Sequence, residues 1–110
     1  MKLESVGDVI ATRKLLLLRD DTATAEVLVL LGKPQTGQDQ QEFYWPYQLK
    51  GAGDEKVRLA RGVDAFQALQ LALSILGVEL DVLNKKLGRK LRWECDDAGD
   101  LGFPSFAAFR

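Results

Sequence analysis

Lys56, Arg58 and Arg61 follow closely on an aromatic run, Phe43-Tyr44-Trp45-Pro46-Tyr47. Aromatic and basic side chains interleaved in this way can stack nucleic-acid bases on a sheet face while the cations hold phosphates. The competing reading puts Phe43, Trp45 and Tyr47 in the core beneath a helix, leaving Tyr44 on the opposite face. Tyr44 beside Lys56, Arg58 and Arg61 is then the candidate binding set for a partner. An enzyme or small-ligand binder would instead close Tyr44, Arg58, Arg61 and a carboxylate around a sheet pocket. Asp54, Glu55 and Asp64 flank the same segment and are the carboxylates at hand.

Other chemistries are disfavoured residue by residue. The chain has no histidine, which removes Ser-His-Asp and Cys-His catalysis and most zinc sites. Cys95, the single cysteine, stands between Glu94 and Asp96, whose negative charge discourages a thiolate. Asp96 and Asp100 match positions one and five of a calcium loop, but Ala98 and Ala107 occupy positions three and twelve. The acidic stretch therefore reads as a solvated turn. Gly51-Ala52-Gly53 cannot be a phosphate loop of the usual kind, because a strand and not a helix N-terminus follows it. No metal and no cofactor is expected, and the chemistry on hand favours a non-catalytic role.

The totals agree with one globular domain spanning residues 1–110. The chain has 110 residues, 46% hydrophobic and 28% charged, with a net charge of −1. Nucleic-acid binding is not expected, since a domain living on phosphate backbones usually carries a basic excess. Glu4 and Asp8 interrupt any apolar signal region. Gln67, Gln70, Glu79 and Asp81 interrupt the longest apolar stretch, so no membrane segment is expected and the location reads as cytoplasmic.

These residues must be positioned by strands and one helix. Residues 8–62 read as antiparallel strands: Asp8–Arg19 and Thr22–Leu31 joined by a turn at Asp20-Asp21, then Phe43–Lys50, then Glu55–Gly62. Pro46 lacks an amide hydrogen, which places its strand at an edge or beside a bulge. In the fourth strand Val57 and Leu59 are expected inward, Lys56 and Arg58 outward. Residues 64–86 read as the main helix, capped by Asp64 with Gln67 in a capping-box position. Phe66, Leu69, Leu73, Leu76, Leu80, Leu83 and Leu87 form its apolar stripe. Gly77 suggests close packing on a strand or a bend, and Asn84 or Gly88 ends the helix. Residues 87–110 hold a short strand, Leu91–Cys95, and a tail with Leu101, Phe103, Phe106 and Phe109. The fold class is α+β, a mostly antiparallel sheet of four or five strands packed on one long amphipathic helix.

Leu15–Leu18 and Val27–Leu31 are apolar at every position, so both faces of the first hairpin should be covered. The helix covers one face. The aromatic tail or a second copy of the chain covers the other.

The segment Tyr44-Trp45-Pro46-Tyr47, then Gly53-Asp54, then Gly62-Val63-Asp64-Ala65-Phe66-Gln67-Ala68-Leu69 resembles an uncharacterised bacterial domain family of unknown function. The likeness runs from about Glu42 to Leu80 and implies a compact bacterial domain without transferring any activity or site. The functional expectation is a non-catalytic protein-interaction module that binds a protein partner or itself, as a homodimer. The alternatives are a toxin-neutralising or regulatory partner protein, and a small-ligand-binding protein or enzyme with a sheet pocket.

Overall fold

The computed structural model describes residues 5–20, 22–37, 41–51, 53–93 and 100–104. Six strands and one helix follow in the order β1 (Val9–Arg19), β2 (Thr22–Gly32), β3 (Gln35–Thr36), β4 (Phe43–Lys50), β5 (Arg58–Gly62), α1 (Ala65–Lys86) and β6 (Leu91–Trp93). All strand pairs are antiparallel. The expected α+β design of a sheet on one helix is what the chain folds into.

β1 and β2 form the long hairpin, with Arg19 opposite Thr22 across the turn. Asp20 takes φ 52°, a left-handed conformation that a short polar side chain tolerates. β6 adds to the outer side of β1, with Leu15 opposite Trp93 and Leu17 opposite Leu91.

β4 is an interior strand. Tyr47 pairs with both Leu31 of β2 and Arg58 of β5, and Tyr44 with both Gln35 of β3 and Arg61 of β5. Because a residue has one neighbour on each side, β2 and β3 lie along one side of β4 and β5 along the other. Pro46 therefore does not sit at an edge. Residues 32–34 face only residues 45 and 46 between the two flanking pairs, which makes a bulge where the proline stands.

α1 packs on the sheet face that carries Leu15, Val27, Val29, Trp45, Tyr47, Ala60 and Leu91, and contributes Ala68, Ala72, Leu76 and Leu80. Each fully buried leucine contributes roughly 1.5–3 kcal/mol through burial. Asp64 caps the helix, its carboxylate accepting from the Gln67 N–H at 2.7 Å. The Gln67 side chain turns back to accept from the Val63 N–H at 2.8 Å. The indole of Trp45 donates to the Ala65 carbonyl at 2.7 Å and pins the first turn to β4.

Several sequence expectations need correction here. Phe66 is 82% exposed and lies outside the buried stripe. It is two residues from Ala68, hence about 160° around the helix from that side chain, which meets the sheet at the first turns. Leu59, expected inward, pairs with Pro46 on the face away from α1, while Arg58 pairs with Tyr47 on the helix side. Ala60 takes the core position instead. Asn84 does not end the helix. Its side-chain oxygen accepts from the Leu91 N–H at 3.0 Å and launches β6, while Gly88, at φ 73°, turns the chain. Gly77 packs against the tail and not a strand: a β-carbon there would meet the Pro104 carbonyl.

The tail is likewise found on the helix side. Leu101 and Phe103 pack against the core cluster. Arg13 lies 4.1 Å from the Trp93 ring centre and 4.8 Å from that of Phe103, and donates to the Leu101 and Gly102 carbonyls at 3.2 and 2.9 Å. Residues 101–104 thus extend the cover that α1 provides over β1. The expectations for Cys95, for the acidic residues 94, 96 and 97, and for Phe106 and Phe109 lie outside the described residues. On the other sheet face Val6 is buried beside Gly32 and Pro46, while Leu16, Leu28 and Leu30 stay partly exposed.

Candidate functional site

β5 joins the β4 ladder only from Arg58 onward, so residues 53–57 run beside the end of β4 without pairing to it. The Gln48 side-chain amide spans the gap and donates to the Glu55 carbonyl. Gly51, at φ 92°, makes the turn before it, and its N–H donates to the Glu55 carboxylate at 3.0 Å. The C-terminal half of α1 lies over this opening. The result is a groove of about 370 Å³ with Tyr47 and Leu49 from β4, Asp54 and Lys56 from the turn, Arg58 from β5, and Glu79, Val82, Leu83 and Lys86 from α1.

Arg58 is anchored on both sides, at 3.5 Å from the Asp54 carboxylate and 3.5 Å from that of Glu79. Burial nevertheless pushes the Glu79 carboxyl up from its ordinary value, with the Arg58 charge opposing and Asp54 adding to the rise. A 3.5 Å contact with a half-exposed guanidinium does not repay the lost hydration of a carboxylate set among helix side chains. Tyr47 is pushed up to about 12, by burial first and by the negative charge of Glu79 second, against the opposing charge of Arg58. Its phenol therefore stays neutral and able to donate at physiological pH. The Lys56 and Lys86 ammonium groups have no hydrogen-bond or ion-pair partner among the described residues, the Lys56 backbone N–H donating to Asp54 at 3.0 Å.

The candidate residues read from the sequence separate into two pairs. Arg58 and Lys56 line the groove. Tyr44 and Arg61 face each other on the opposite side of the sheet, the Arg61 guanidinium 5.3 Å from the Tyr44 ring centre. Tyr44 is buried, and its hydroxyl donates to Glu42 at 2.8 Å. Sequence reading missed Tyr47, Glu79 and Lys86 as site residues. Glu79 did leave a signal: a carboxylate between Leu76 and Leu83, three residues after one and four before the other, on the side of the helix that is otherwise apolar.

A smaller cavity of about 160 Å³ lies beside the tail, between Arg13, Val29, Leu73 and Phe103. Among the described residues no group of three or more Cys, Asp or Glu side chains could hold a metal ion. The groove offers cations, a neutral hydroxyl and an apolar wall, which are the elements of binding.

No curated protein and no solved structure matches the chain. A protein-family profile described as a domain of unknown function, DUF6968, matches residues 11–105. That span holds most of the hairpin, the whole of β4, β5, α1 and β6, and every side chain of the groove. The resemblance carried by the aromatic strand and the helix start thus extends over nearly the full length, and the chain belongs to the DUF6968 family.

Proposed function

We propose that this domain is a non-catalytic protein-interaction module that associates with itself. The observation that carries this reading is a second apolar line on α1, separate from the one that meets the sheet. Leu71, Val78 and Val82 are 43%, 39% and 47% exposed, with the half-buried Ile75 between them. Spacings of four, three and four are those by which paired helices form a seam. By length and composition alone α1 could cross a membrane, yet only 28% of its apolar window is buried within the chain. Monomers rarely leave such apolar surface uncovered. A cytoplasmic setting in a bacterium fits a chain whose one cysteine has no intrachain partner.

Native mass spectrometry of untagged protein over a concentration series tests it. A dimer fraction that grows with concentration is expected, and the V78D/V82D variant should remain monomeric with an unchanged circular dichroism spectrum. A chain that stays monomeric at millimolar concentration would remove self-association. A second reading, binding of a small ligand, is favoured by the groove between α1 and the β4–β5 turn.

A further inference from the structure

We infer that the groove takes a small molecule with a carboxylate head and an apolar body. The inference rests on the second reading above and names the class of ligand. Three cations, Lys56, Arg58 and Lys86, line the groove against two carboxylates, Asp54 and Glu79. Both carboxylates are engaged by the one guanidinium. One net positive charge remains, and the two cations that touch neither carboxylate are Lys56 and Lys86, one from the turn and one from the last turn of α1. In a chain whose net charge is −1, this concavity is locally cationic. An anion placed between the two ammonium groups gains two charge-assisted hydrogen bonds, with the neutral Tyr47 phenol as a third donor from the floor.

Apart from Gln48, whose side-chain amide donates to the Glu55 carbonyl, the rest of the wall is apolar. Leu49, Val82 and Leu83 line the groove with no polar side-chain atom. A ligand that filled it with charge throughout would leave these side chains against an ion, and one without charge would leave the ammonium groups unanswered. The volume of about 370 Å³ suits a molecule at the small end of the range that protein pockets take. The site is therefore matched to a short-chain or medium-chain carboxylic acid, its head between Lys56 and Lys86 and its chain along Val82 and Leu83.

The test is a ¹H–¹⁵N correlation titration of the full chain with octanoate, octylamine and octanol in parallel, the two ions to about 20 mM and the alcohol to saturation, where a dissociation constant near 1 mM is measurable. Octanoate is expected to move the amides of Tyr47, Leu49, Lys56, Arg58, Val82 and Lys86. The double variant K56Q/K86Q, which changes two exposed side chains, should weaken it by about fivefold or more. Y47F should weaken it by a smaller factor. Undiminished octanoate binding in K56Q/K86Q, or shifts confined to Leu71 and Val78, would overturn the assignment. Shifts from octylamine or octanol at the groove with octanoate silent would refute the carboxylate class and leave a groove that binds. Silence from all three would remove both the class and the ligand-binding reading.

Discussion

Glu79 stands where its own helix and the sheet withdraw it from water, and the cost of that position depends on pH. Its carboxyl holds its proton above the ordinary value of 4.5, chiefly through burial. Between that value and the raised one the folded chain carries a proton that the unfolded chain has released. Stability therefore falls as pH rises through this window. Glutamine does not titrate, so the stability of wild type relative to E79Q is expected to decline as pH rises from the ordinary carboxyl value of 4.5 through the raised one. Urea unfolding at a series of pH values reads it directly, and parallel pH profiles for the two proteins would dismiss burial as the cause. Arg58 keeps Asp54 as a partner in the variant, so its guanidinium is not left alone.

At the scale of elements, α1 is held by different means at its two ends. At the start, alanines at 68 and 72 and a glycine at 62 let helix and sheet approach closely; a β-carbon on Gly62 would meet the Ala68 backbone nitrogen. Near the middle, Gly77 makes room for the tail. In an exposed helix, glycine to alanine gains about 1 kcal/mol. Here the new methyl would meet the Pro104 carbonyl, a backbone atom that can move only with the whole tail segment. G77A is therefore expected to destabilise by about 1–3 kcal/mol, the usual range for overpacking. A urea midpoint higher than wild type would show that the tail gives way easily.

The same elements show where local pattern suffices and where it does not. The hairpin turn, the alternation of β4 and the cap of α1 were legible because period, turn chemistry and capping act within a few residues. The facing of β5 was not. Val57 and Leu59 alternate as a buried strand should, but this sheet accepts apolar side chains on both faces, so alternation does not say which face meets the helix. The groove escaped for another reason. Tyr47, Arg58 and Glu79 come from three elements, and only the docking of α1 over the unpaired end of β4 brings them together.

For the molecule as a whole, Arg13 ties the first strand to the tail. Its guanidinium lies between two aromatic rings and bonds two carbonyls of residues 101 and 102. R13A is expected to cost about 1.5–3 kcal/mol, the range for hydrogen bonds to a charged group. It should also free residues 101–104 from β1. Trp45 stays buried beneath α1, so a red shift in tryptophan emission would report Trp93. An unshifted spectrum together with wild-type stability would mean that the tail is held by Leu101 and Phe103 alone.

That tie joins residues 88 positions apart along the chain. A ribosome adding about 5–20 residues each second needs roughly 4–18 s to make the second partner after the first. For most of that interval, until β6 is made, the outer edge of β1 has no strand beside it. An uncovered strand edge rich in leucine is a template for pairing with another nascent chain. The order of elements thus sets a period of risk during synthesis, which ends only when β6 emerges and pairs with Leu15, Leu16 and Leu17.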